Sequence, residues 1–197
     1  MHKKYIVIIA VLFLAEVCLD VFLAGYLTAK SQNYTKKMEN RIKIRQTIVS
    51  EMKYFPIPKQ YYNRITFSDT YGDGRTQGQH EGCDIMDCND TPNQIPVISC
   101  TDGVITNKGW LYLGGYRIGI TSDNGIYYYY AHLAGFSPNL EIGDEVLAGQ
   151  ILGFMGNSGE GKEGTVGKFP THLHFGIYNF KESDVGMNPY PYLKQMQ

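Results

Sequence analysis

Tryptophan occurs once in the 197 residues, and cysteine only four times. Four cysteines cannot staple a chain of this length into a disulfide scaffold, so a packed apolar core must hold the fold. Charge of one sign is also missing. Eighteen Lys and Arg stand against 19 Asp and Glu, a net charge of −1. That balance argues against a bulk electrostatic nucleic-acid binder, and no nucleic-acid partner is expected. There is no internal repeat, no low-complexity tract and no long amphipathic helical pattern after Tyr62. What is plentiful is apolar side chain, 43% of the residues with 13% aromatic, which fills a core and excludes wholesale disorder. Twenty-two glycines and sixteen tyrosines point to a turn-rich β protein.

Composition changes along the chain and marks three parts: an anchor over residues 1–29, a stalk over 30–55 and the main domain over 56–197. From Tyr5 to Leu27 the chain is apolar except for Glu16 and Asp20. A bilayer pass takes about 20 residues, so one transmembrane helix is expected. A cleaved signal peptide is the alternative. It is disfavoured because Leu27-Thr28-Ala29 puts a large residue three before the cut, and Ala15-Glu16-Val17 lacks the small residue that a lipoprotein signal needs before Cys18. Glu16 and Asp20 share one helix face, which suggests a membrane partner helix or a water-lined groove, or two protonated acids. Lys3 and Lys4 precede the segment. Lys30, Lys36, Lys37, Arg41, Lys43 and Arg45 follow it, and by the positive-inside rule that charge would keep the rest of the chain in the cytoplasm.

Residues 31–54 read as a helix, with Met38, Ile42, Arg45, Val49 and Met52 on one stripe. It serves as a spacer, with weak dimerisation as the sharper alternative, and Pro56 and Pro58 end it. Beyond Ile57 short strands alternate with glycine-rich turns. The candidates are Ile95–Ser99, Gly103–Lys108, Tyr116–Thr121, Tyr127–His132, Glu145–Val146, Ile151–Met155 and His172–Tyr178. This predicts an all-β domain, an antiparallel sandwich or barrel-like sheet.

Of five histidines, one lies in the leader and four in strand-like contexts. Alternation along Thr171–Ile177 puts His172, His174 and Gly176 on one face, with Leu173, Phe175 and Ile177 in the core. His80 and Asp84 are an even number apart and share a face in the same way. With His174 they supply three N/O ligands, the open set of a catalytic zinc whose fourth position takes water. His132 follows a tyrosine run, and alternation groups it with Tyr128 and Tyr130. His80-Glu81-Gly82-Cys83-Asp84 also resembles a variant HExxH helix, but Gly72, Gly74, Gly78 and Gly82 cluster there, and glycine costs about 1 kcal/mol per helical position.

The order of these motifs resembles the lysostaphin/LytM-type zinc endopeptidases that cut peptidoglycan peptides. The residues that carry the likeness are His80–Asp84, Tyr130-Ala131-His132-Leu133 and His172-Leu173-His174-Phe175. Thr101–Ile105, Glu141–Gly153 and Met187-Asn188-Pro189 extend it, so that it covers about Thr76 to Tyr192. The resemblance implies that His80, Asp84 and His174 bind one Zn²⁺ and that His132 and His172 flank the attacking water. It implies amide hydrolysis in wall peptides, stem or cross-bridge. Many members carry a Glu where this chain has Gly176. Gly176 and Tyr130 are expected at the substrate groove, and the insert Asn157–Pro170 is expected as a loop over it. A non-catalytic binding or assembly module of the same fold is one alternative, and a zinc peptidase with a non-wall protein substrate is another. All five site residues are intact, which points to an active enzyme. A wall substrate outweighs the charge pattern, so the expected placement is a single-pass cell-membrane protein with its catalytic domain extracytoplasmic. Cys83 should face the core. Cys88 and Cys100 flank a loop and either pair as a disulfide or stay as free thiols.

Overall fold

The computed structural model describes residues 2–76, 78–180 and 186–197. The chain divides into two units, residues 1–46 and residues 47–197. Helix α1 (His2–Glu51) makes up the described part of the first unit and opens the second. A 3-10 turn (Lys59–Arg64) then leads into strands β1 (Ile65–Phe67), β2 (Gly74–Arg75), β3 (Gly78–Gln79), β4 (Cys83–Asp87) and β5 (Pro96–Ile98). Strands β6 (Gly103–Leu111), β7 (Gly115–Thr121), β8 (Tyr127–Phe136), β9 (Glu145–Val146), β10 (Ile151–Met155) and β11 (His172–Tyr178) follow, and the short helix α2 (Tyr190–Met196) comes last.

The first unit corrects the expected anchor. Anchor and stalk are one continuous helix. Among the described residues no helix is long and apolar enough to cross a membrane. The apolar run holds Glu16 and Asp20, each of which costs about 2.5–3.5 kcal/mol at mid-bilayer. The single-pass membrane placement, the extracytoplasmic assignment that rested on it, and the membrane partner for Glu16 and Asp20 are therefore set aside. On the stalk stripe Met38, Ile42 and Val49 are exposed and Met52 is buried in the second unit, as is Ile48, which lies off the stripe. The helix ends at Glu51, and the N–H groups of Lys53 and Tyr54 instead donate to the carbonyl of Cys100.

The second unit is antiparallel β, as expected. Among the described residues one sheet runs β1-β4-β11-β8-β7-β6-β9, with β10 paired to both β8 and β5, and β2-β3 forms a separate hairpin. Alternation on β11 holds: Leu173, Phe175 and Ile177 are fully buried. Ile118 and Ile120 of β7 and Tyr128 and Tyr130 of β8 complete that core face. Each such side chain removed from water stabilises the fold by about 1.5–3 kcal/mol. The hydroxyl of Tyr128 donates to Glu51 Oε2 at 3.1 Å, which ties the end of α1 to the back of β8. Strand β1 and helix α2 were not anticipated, being too short for a periodicity to register. No disulfide joins Cys88 and Cys100: both are free thiols, one exposed and the other buried. Cys83 faces the core, as expected.

One irregularity matters for the site. Between the pairs Tyr116↔Leu133 and Ile118↔Tyr130 the register of β7 on β8 shifts by one. Two residues of β8, Ala131 and His132, thus stand opposite one of β7, Arg117, which is a β-bulge. His132 takes φ +61°, a conformation that L side chains rarely adopt.

Candidate active site

Strand β11 lies between β4 and β8, with His174 opposite Asp84 on one side and opposite Ala131 on the other. Strand pairing therefore brings a carboxylate beside an imidazole. His80 reaches them from outside the sheet, since it lies in the turn before β4. Its N–H donates to Asp73 O, and its carbonyl accepts from Gly72 N–H. The segment is turn and strand, not an HExxH helix.

The three donor atoms converge. His80 Nε2 lies 2.8 Å from His174 Nδ1. Asp84 Oδ1 lies 3.1 Å from each of these two nitrogens. A tetrahedral ion bound at about 2.0–2.1 Å holds its donors about 3.3 Å apart, so this triangle of two nitrogens and one oxygen fits a zinc-sized cation. Among the described residues this is the one group of three or more metal-ligating side chains. His80 Nδ1 sits 2.7 Å from Thr70 O; a carbonyl only accepts, so Nδ1 carries the proton and the Nε2 lone pair faces the site.

The Asp84 carboxyl is buried, which works to raise its pKa. The imidazoles beside it, His174 foremost, outweigh that and hold it well below the usual carboxylate range. Its second oxygen, Oδ2, accepts from Arg75 Nη2 at 2.6 Å. Arg75 orients the carboxylate from behind, yet it was missed in the sequence, where one arginine in a glycine-rich hairpin carries no signal.

His132 and His172 stand beside this group with ring centroids 4.7 Å apart. His172 Nε2 lies 3.8 Å from Asp84 Oδ1. The Nδ1 of His132 donates to Ser158 O at 2.8 Å, and the Nδ1 of His172 donates to Pro170 O at 2.7 Å. Both rings are thus set with Nε2 free. Burial, reinforced by the neighbouring His172 and His174, lowers the pKa of His132 to about 3. Burial also lowers that of His172, against the pull of Asp84. Both are therefore neutral at pH 7 and able to accept a proton. The insert 157–170 supplies both carbonyl partners, and its Phe169 packs against both rings at 4.6 and 5.1 Å.

The bulge decides the faces of β8. It carries His132 round to the side of Ala131 and Tyr129, where they line a cleft of about 220 Å³ with Arg75, His80 and Glu160. Tyr130 was expected there but is fully buried, and its hydroxyl donates to Cys100 Sγ at 3.1 Å. Simple alternation fails because the bulge adds one residue between Tyr130 and His132. Gly176 lies on the cleft face, but the ring of Tyr178 covers it. Asn188 closes the domain by donating through Nδ2 to Asp69 at 3.1 Å.

Comparison with known proteins points to one family. Residues 78–189 match Peptidase family M23. The chain is 41% identical over 144 residues to an L-Ala–D-Glu endopeptidase of Bacillus subtilis, covering 71% of this chain and 42% of that protein. It is 35% identical over 124 residues to the glycyl-glycine endopeptidase ALE-1 of Staphylococcus capitis, covering 61% of this chain and 31% of that protein. The chain thus spans less than half the length of these curated relatives. Among solved structures, a Ruminococcus gnavus protein assigned as a glycyl-glycine endopeptidase lytM superposes with a TM-score of 0.68 at 49% identity, covering 74% of this chain and 60% of that one.

Proposed function

The chain belongs to Peptidase family M23, and from that membership we propose that it is a zinc-dependent endopeptidase hydrolysing peptide bonds of cell-wall peptidoglycan. The observation that carries the reading is the meeting of His80, Asp84 and His174 beside two neutral imidazoles. In this reading residues 56–197 form the peptidase domain and residues 30–55 a helical stalk.

His80, Asp84 and His174 would hold the metal, leaving the cleft side open. A bound Zn²⁺ supplies Lewis-acid polarisation of the scissile carbonyl and lowers the pKa of water to about 7. Arg75 keeps Asp84 Oδ1 turned to the site by occupying Oδ2. The Nε2 atoms of His132 and His172 face the space where the scissile bond lies. Neutral at working pH, they take the proton of the attacking water and return it to the leaving amine, and the protonated ring stabilises the developing oxyanion. Loss of either ring should cost about 10²–10⁴-fold in kcat.

The test is mass spectrometry of the muropeptides released when the full chain is incubated with purified peptidoglycan. New amino termini should appear, and they should vanish with a chelator and in His174→Ala. Undiminished release under strong chelation would overturn the reading.

A further inference from the structure

A second cleft, of about 320 Å³, opens on the same face of the sheet. Its walls are the rings of Tyr127, Tyr129, Tyr178 and Phe180, with Asn107 and Arg117 between them. Tyr129 lines both clefts. On one side its ring meets His174 edge-on, with centroids 5.8 Å apart. On the other side it meets Tyr178 at 6.3 Å. One aromatic side chain therefore separates the second cleft from the proposed metal ligands.

The cleft is built for a ligand in two respects. Its rings are locked in place. Tyr127 lies across Gly119, where a β-carbon would come within 2.0 Å of the phenol oxygen, and Tyr178 and Phe180 stack with planes 15° apart. Its cation has a donor to spare: Arg117 Nη1 is buried and has no hydrogen-bond partner among the described residues, while its charge also acts on the Tyr127 and Tyr129 hydroxyls beside it. A buried donor left unmade is costly unless something else completes it. The acids Glu81 and Glu160 line the first cleft, not the second. A guanidinium among flat aromatic walls recognises a carboxylate, through a fork of paired N–H donors.

Position fits substrate. Arg117 stands opposite the bulge of β8, and Ala131 in that bulge pairs with His174 of β11. Two strand spacings of about 4.8 Å put Arg117 about 10 Å across the sheet from His174. An extended peptide covers that distance in about three residues.

We propose that this cleft is a substrate subsite that seats a free carboxylate of the wall peptide on Arg117, a few residues from the bond cleaved. The inference rests on the reading of the chain as a wall peptidase. It names the substrate class as stem peptides whose carboxylates are not amidated.

The test compares two synthetic stem peptides, identical except that one carries free side-branch and terminal carboxylates and the other carboxamides. Binding to the full chain is measured by calorimetry with EDTA present, so that no turnover intervenes. The free acid should bind about tenfold or more tightly than the amide. Arg117→Gln should remove the preference, and Arg117→Lys should restore part of it. Equal binding of the two peptides by the unmodified chain overturns the inference without any variant. So does a preference that survives in folded Arg117→Gln. Cleavage of the same pair, measured with zinc, separates the two ideas. Discrimination without cleavage supports the subsite and counts against the peptidase reading. Cleavage without discrimination does the reverse.

Discussion

Gly82 lies so close beneath the imidazole of His174 that a β-carbon on it would come within 2.5 Å of Cε1 and 2.8 Å of the Phe175 carbonyl oxygen. The absence of a side chain at 82 therefore sets where a proposed metal ligand can rest. Gly82→Ala should displace that ring and weaken zinc binding about 10–100-fold, the usual scale for disturbing the support of a ligand. Competition with a chelating dye measures it, with circular dichroism to show the fold retained. Unchanged affinity would show that the ring has room to move.

Zinc should stabilise the folded chain. A ligand that binds only the native state contributes about 2.7 kcal/mol at a hundred times its Kd. Thermal melts should therefore shift up with zinc and return with EDTA. His80→Ala and Asp84→Ala should abolish the shift. A melt indifferent to zinc in the unmodified chain would count against the site.

Asp90 holds the strand that carries His172. Its Oδ1 accepts from Thr171 N–H at 2.7 Å. That bond lowers the Asp90 pKa below its ordinary value. A depressed folded pKa stabilises above the unfolded pKa, and the contribution is lost as pH falls through the folded value. The stability gap between the unmodified chain and Asp90→Asn should therefore be full near neutrality and close on acidification below about pH 4. At neutral pH, Asp90→Asn should lower kcat several-fold with little change in KM. A gap that widens in acid would refute this account.

The thiols should differ sharply in reactivity. Cys88 is exposed, whereas Cys100 is fully buried. Burial is the main cause that pushes the Cys100 thiol up to about 12. Only the thiolate reacts, so Cys100 should resist alkylation between pH 7 and 9 while Cys88 labels readily. Denaturant should expose Cys100. Peptide mapping after timed iodoacetamide reads both, and rapid native labelling of Cys100 would contradict the packing.

What was legible in the sequence was what period and turn chemistry control. Strands β9, β10 and β11 have the ends that alternation and glycine-rich turns indicated, and the core side of β11 follows directly. His172 and His174 lie on β11 beside Asp84 of β4, as alternation suggested, but His80 joins them from the turn before β4 and not along a strand face. Tyr130 was misassigned because a bulge is a backbone event that leaves no mark in a run of four tyrosines. Arg75 was invisible because its role depends on a hairpin folding back over Asp84. The membrane expectation over residues 5–27 weighed apolar length above the two acids within it.

The tyrosines that pave the sheet beside the site sit where the backbone offers glycine, Tyr127 over Gly119 of the adjacent strand and Tyr178 over Gly176 two residues before it in β11. Ring and bare backbone are therefore heritable only as couples. A side chain gained at 119 or 176 evicts its tile, and a tyrosine lost uncovers main chain. Diversification of this surface should proceed by paired replacements, so that mutational libraries varying one partner at a time will report the face as more rigidly constrained than it is.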